Sequence, residues 1–117
     1  MKFIVHGGRP LEGEIAVNGA KNSVLKAMAS SLLFASPITI ENAPFIEDVF
    51  RVRELLEHLG MKTEEGNRMI RIDPREANGT EIKKDIAERL RASIVLVGPL
   101  LARNGRAQFP YPGGCVI

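Results

Sequence analysis

Aromatic residues are scarce in this chain. They make up 5% of the sequence, and there is no tryptophan. Proteins that bind single-stranded nucleic acid by stacking need exposed aromatic rings, so that class is disfavoured. Cysteine is scarcer still. A single Cys115 rules out an intrachain disulfide and any cysteine-rich zinc site. The two histidines, His6 and His58, stand far apart without metal-ligand spacing and read as structural or exposed. Charge of one sign is not in excess: the net charge is +2, so nothing pulls the whole chain toward polyanions. No apolar run reaches the roughly 18–20 residues that span a bilayer. The apolar run in MKFIVHGG is too short for a signal-peptide core. The expectation is a cytoplasmic protein with no membrane partner and with nucleic acid an improbable one.

What is present is the composition of an ordinary globular domain. The 117 residues are 44% hydrophobic and 26% charged, enough for one core. Residues 2–6, with a strand-like apolar run, and 12–17, where Ile15 and Val17 alternate with Glu14, Ala16 and Asn18, predict two strands, with GGRPLEG as the turn. From Lys21 the period changes. Val24, Leu25, Met28, Leu32 and Leu33 predict an amphipathic helix over 21–35, ended by Ser36-Pro37. A strand follows at 38–41. A second helix carries Ile46, Val49, Phe50, Leu56 and Leu59 and closes at Gly60. Strands near 61–64 and 68–73 are joined by a turn at Glu65-Gly66-Asn67. The order over 12–73 is β-α-β-α-β-β, which places helices on a face of one sheet in an α/β fold. Residues 81–91 read as a charged helix. The apolar segment 93–102 fits a buried strand or a buried helix, because periodicity does not separate them at that length. A short strand at 106–110 leads to the last residues.

Three places can carry chemistry. GAKN, residues 19–22, opens the first helix, where backbone N–H groups are unpaired and the dipole is positive. A lysine there is unfavourable for the helix alone and makes sense if a phosphate or carboxylate sits between Lys21 and the helix end, with Asn22 beside it. The plainer alternative is a solvated lysine beside an Asn cap. Arg91, in RLRAS, precedes an apolar segment and suits bidentate anion binding, or else snorkels from a buried element. Cys115 lies in FPYPGGCVI, where two prolines and two glycines favour a sharp exposed loop that a reactive thiol needs, although lone cysteines are commonly small buried hydrophobes. No dinucleotide fingerprint or Walker loop is present. Glu12, Glu14, Glu47 and Asp48 show no pairing that singles out an acid and a base.

At GAKN, RAS, GPLLAR and PGGC, in this order and spacing, the chain resembles the N-terminal part of the UDP-N-acetylglucosamine 1-carboxyvinyltransferase family, across all 117 residues. The resemblance implies transfer of the enolpyruvyl group of phosphoenolpyruvate to the 3′-hydroxyl of UDP-N-acetylglucosamine, with release of phosphate, in the first committed step of peptidoglycan synthesis. It implies no metal or organic cofactor. Cys115 would be the general acid at the methylene carbon of phosphoenolpyruvate and the thiol alkylated by fosfomycin. Lys21 and Asn22 would bind phosphoenolpyruvate, and Arg91 the nucleotide sugar. The fold implied is an inside-out α/β barrel, of which this chain holds one β-α-β-α-β-β unit and the start of a second. Residues 1–20 would pack with a C-terminal domain, and 21–117 would form part of the N-terminal domain, ending inside the catalytic loop. Lys26 departs from the family, which commonly has proline there. The chain is also well under half the length of a member, so the expectation is a fragment inactive alone. The other reading is a free-standing phosphate- or RNA-binding module, motivated by six basic against three acidic residues over 81–106. A shikimate-type acceptor is disfavoured by Cys115.

Overall fold

The computed structural model describes residues 1–111; Cys115, with the rest of 112–117, lies outside the described residues. Helix α1 spans Lys21–Ser30 and runs into a 3-10 turn at Ser31–Leu33. Its buried stripe is Val24, Leu25, Met28 and Ala29, extended by Leu32. The Ser30 and Ser31 hydroxyls donate back to Ala27 O (2.8 Å) and Met28 O (2.6 Å), which offers the backbone an alternative partner where the helix tightens and ends. Strand β1 (Ile38–Ile40) follows, then helix α2 (Glu47–His58). Val49, Val52, Leu55, Leu56 and Leu59 turn one face of α2 inward. Gly60 ends it with φ of +92°, a left-handed conformation that side chains rarely adopt.

Strands β2 (Lys62–Gly66) and β3 (Met69–Asp73) form a hairpin. The turn is Asn67-Arg68, with φ of 46° and 60°, one residue later than the sequence suggested. Positive φ at both central residues matches the twist of a two-residue hairpin. The sheet order is β1-β3-β2, with both neighbouring pairs antiparallel. Thus β1 and β2 share a direction, and β3 fills the place between them. Ile70 and Ile72 on the inner face are buried, and both pair with isoleucines of β1. Helices α1 and α2 cover that face and share one core with it.

Residues 81–91 are less helical than the charge pattern suggests. Helix α3 covers only Lys84–Ala87, because Leu90 turns extended (φ −132°) to bury its side chain. The ambiguous segment 93–102 is helical: a 3-10 stretch at Arg91–Leu96 passes into α4 (Val97–Asn104). The junction places Pro99 in the first turn of α4, where no N–H is required of it. The strand expected at 106–110 is reduced to a single parallel bridge between Glu81 and Gln108. Arg103 on α4 donates to the carbonyls of Leu32, Phe34, Pro74 and Ala77, at 2.8–3.3 Å, joining three otherwise separate stretches.

One expectation fails outright. Residues 2–6 and 12–17 form no strand, and Phe3, Ile4, Val5, Leu11, Ile15 and Val17 are exposed. Alternation alone does not make a strand: its N–H and C=O groups need a neighbouring ladder, and none is offered to this segment among the described residues. The observed unit is therefore α-β-α-β-β over 21–73, without the leading strand. No helix among the described residues is long and apolar enough to cross a membrane.

Candidate active site

The start of α1 is held by a close backbone approach. A Cβ on Gly19 would lie 2.0 Å from Asn42 O, so only glycine passes this point without displacing the 42–44 turn. Asn42 itself has φ of 54°. Arg68, from the hairpin turn, donates to Asn18 Oδ1 (2.5 Å) and Asn42 Oδ1 (2.6 Å), and its carbonyl accepts from Ala43 N (2.9 Å). The chain thus arrives at Ala20 in a fixed direction.

Ala20 is the N-cap residue and offers no side-chain cap. Its carbonyl accepts from Ser23 N and Val24 N, while Lys21 and Asn22, the first two helical residues, have no intrahelical acceptor for their own N–H groups. The first turn contains no acidic residue. Positive potential at this end is therefore not neutralised within the helix, and Lys21 adds to it.

The cleft beside this helix end has a volume of about 490 Å³ and is lined by Lys21, Asn22, Leu25, Asp48, Arg89, Leu90, Arg91, Ala92 and Ile94. It brings together Lys21, Asn22 and Arg91, predicted from separate stretches of sequence. Arg91 reaches it because Leu90 and Ser93 sink into the core and leave Arg89 and Arg91 outside. The fourth predicted residue, Cys115, lies outside the described residues.

Sequence reasoning missed two lining residues. Asp48, in the first turn of α2, forms an ion pair with Lys21. An acid in a helix first turn agrees with the helix dipole, so its residue type gives no sign of a partner on another element. Arg89 falls within the segment 81–91 that reads as a charged helix, and nothing sets it apart there from the other basic residues. The alternation Arg89-Leu90-Arg91, which is an extended period rather than a helical one, carried the signal. Three cations thus face one carboxylate around the cleft, an arrangement suited to a small anion with more than one negative charge. Elsewhere, the basic surface over 81–106 is interrupted: Lys83 and Lys84 lie 3.7 Å from Asp85 and Glu88, and Arg103 is turned inward. The strongest carboxylate perturbation is remote from the cleft. Hydrogen bonding from Arg75 holds Asp73 at a pKa of about 2.

The chain matches the family model described as EPSP synthase (3-phosphoshikimate 1-carboxyvinyltransferase) over residues 5–117. It is 45% identical over 116 residues to UDP-N-acetylglucosamine 1-carboxyvinyltransferase of Desulfatibacillum aliphaticivorans, covering 99% of this chain and 28% of that protein. To UDP-N-acetylglucosamine 1-carboxyvinyltransferase 3 of Caldanaerobacter subterraneus subsp. tengcongensis it is 41% identical, again over 99% of this chain and 28% of the relative. The crystal structure of the enolpyruvyl transferase NikO from Streptomyces tendae superimposes with a TM-score of 0.72 at 26% identity, over 86% of this chain and 23% of that one. The chain therefore spans little more than a quarter of the length of the curated relatives it matches. With helices on one face of a β1-β3-β2 sheet, a cationic cleft at the start of α1 and a match from residue 5 to residue 117, this chain belongs to the EPSP synthase family of enolpyruvyl transferases.

Proposed function

We propose that this chain forms the phosphoenolpyruvate-contacting part of an enzyme that transfers the enolpyruvyl group to the 3′-hydroxyl of UDP-N-acetylglucosamine, a cytoplasmic step of peptidoglycan synthesis. The observation that carries this reading is the meeting of Lys21, Asn22 and Arg91 in one cleft at an uncapped helix N-terminus. The names of the relatives favour UDP-N-acetylglucosamine over shikimate 3-phosphate as acceptor.

In this reading the phosphate of phosphoenolpyruvate lies against the free N–H groups of α1 and the Lys21 ammonium, where a dianion is stabilised by preorganised donors. Asn22 orients it, and Arg91 presents a planar fork to the nucleotide sugar. Cys115 delivers a proton to the methylene carbon, which makes the adjacent carbon electrophilic. The sugar hydroxyl adds there and loses its proton. The tetrahedral adduct then releases phosphate, while the methyl group gives a proton back to restore the double bond. Positive charge around the cleft favours the phosphate as it leaves. Residues 1–20, with their exposed apolar side chains, pack on a further domain of the transferase, and the 117 residues bind substrate without turnover on their own.

Mass spectrometry after fosfomycin treatment, with and without UDP-N-acetylglucosamine, tests the reading. A single adduct on Cys115 that forms faster with the nucleotide sugar means that a working site assembles, and overturns the statement that the chain does not turn over alone. No adduct with fosfomycin, while a small general alkylator still modifies Cys115, means an accessible thiol without its site. Titration with phosphoenolpyruvate tests the cleft itself: Lys21→Met lowers affinity by about tenfold or more. Unchanged affinity overturns the assignment.

A further inference from the structure

Asp48 belongs to none of the roles assigned so far, yet it is the carboxylate in a cleft otherwise lined by cations. Its carboxylate accepts from the Lys21 ammonium. The Asp48 side chain is 27% exposed and that of Lys21 54%, so the carboxylate is the better fixed of the two. Its place is set by packing: Val49 and Val52, one and four residues after it on α2, are 1% and 0% exposed in the core shared with α1. The neighbouring first-turn acid, Glu47, is engaged by Arg51 at 2.6 Å, which leaves Asp48 to face α1.

An ammonium has three donors. Asp48 takes one and leaves two free for a ligand in the cleft. A half-exposed lysine without such a partner spreads over many rotamers, and ordering it on binding carries an entropic penalty. From this geometry we infer that Asp48 is a positioning residue: it holds the Lys21 ammonium over the start of α1, so that the cation is already in place when the phosphate group arrives. The inference rests on the anion-site reading of the cleft. It gives Asp48 the sign opposite to a competitor, since an anion-repelling carboxylate would weaken binding and a positioning one strengthens it.

Phosphoenolpyruvate binding is measured by NMR titration of the 117-residue chain, following Asn22 N–H and the Lys21 ε-methylene group. The set is the parent chain, Asp48→Asn, Asp48→Glu, Lys21→Met and the double variant Lys21→Met/Asp48→Asn. Asp48→Asn is expected to weaken binding about fivefold, and Asp48→Glu to recover most of the loss. In the Lys21→Met background the Asp48→Asn change should alter affinity by less than about twofold. In the free chain, the two ε-methylene protons of Lys21 should be inequivalent and should merge in Asp48→Asn. Equal or tighter binding by Asp48→Asn overturns the inference, as does the same loss with Lys21 absent or an ε-methylene signal that Asp48→Asn leaves unchanged. If Lys21→Met binds as the parent does, or the parent does not bind, the anion site itself is wrong and the inference falls with it. Weaker binding by Lys21→Met with unchanged Asp48→Asn removes the Asp48 role alone.

Discussion

Helices α1 and α2 lie side by side, and both begin without a side-chain cap, at Ala20 and Ile46. Their first turns differ in charge. Helix α2 carries Glu47 and Asp48 against its dipole and ends on His58, the arrangement expected of a helix stabilised by its own residues. Helix α1 carries Lys21 and no acid, so its start is worse as an isolated helix and better as a receptor. One helix completes its own electrostatics and also lends Asp48 to Lys21, while the other leaves its free N–H groups to be completed by a ligand. Local stability and binding capacity are set against each other within a few ångströms.

The largest way to break this contrast is to move the start of α1. Gly19→Ala places a Cβ against Asn42 O and should destabilise the fold by about 2–4 kcal/mol while abolishing phosphoenolpyruvate binding; urea denaturation and titration report the two effects. A gentler change makes α1 resemble α2. Ala20 already has extended N-cap geometry (φ −79°, ψ 130°), so Ala20→Asp should raise stability by about 1 kcal/mol and weaken phosphoenolpyruvate binding several-fold, by about fivefold or more. Loss of stability together with tighter binding would contradict the comparison. On α2, Glu47→Gln removes the exposed pair with Arg51 and should lower stability by about 0.5 kcal/mol with no change in phosphoenolpyruvate affinity.

The smallest effect is expected at acid pH. Asp73 has its pKa lowered from 3.8 to about 2 by Arg75, so it contributes stability above its unfolded value, and that contribution is lost as pH falls from about 4 toward 2. Arg75→Ala should flatten this part of the stability–pH curve and leave the cleft unaltered. Denaturant midpoints measured across that window check it.

Much of this was legible in the sequence because it rested on local pattern. The α1 stripe from Val24 to Leu32 and the α2 stripe ended by Gly60 follow from helical period and helix-stop chemistry. Lys21 could be singled out because a cation conflicts with a helix start, and Asn22 because it stands beside it with both a donor and an acceptor. Asp48 could not, since its residue type agrees with a helix start, and only the crossing of α1 and α2 directs it to Lys21. Leu90 shortened α3 for a similar reason: tertiary burial of one side chain overrode the local preference of a charged segment. Ile15 and Val17 alternate as strand residues do, but strand formation depends on a neighbour that the segment itself does not specify.

Arg103 carries a consequence for how the chain is made. Its guanidinium binds carbonyls at residues 32, 34, 74 and 77, all synthesised before it. At roughly 5–20 residues per second, the ribosome delivers α1 and the sheet seconds before the group that ties them together. During that interval the four carbonyls stay with water, and the end of α1 is not yet anchored to the segment after β3. The helix–sheet unit of residues 21–73 should therefore be loose on the ribosome and firm up as a whole when Arg103 clears the exit tunnel. Stalled nascent chains released before and after that point should differ sharply in resistance to protease.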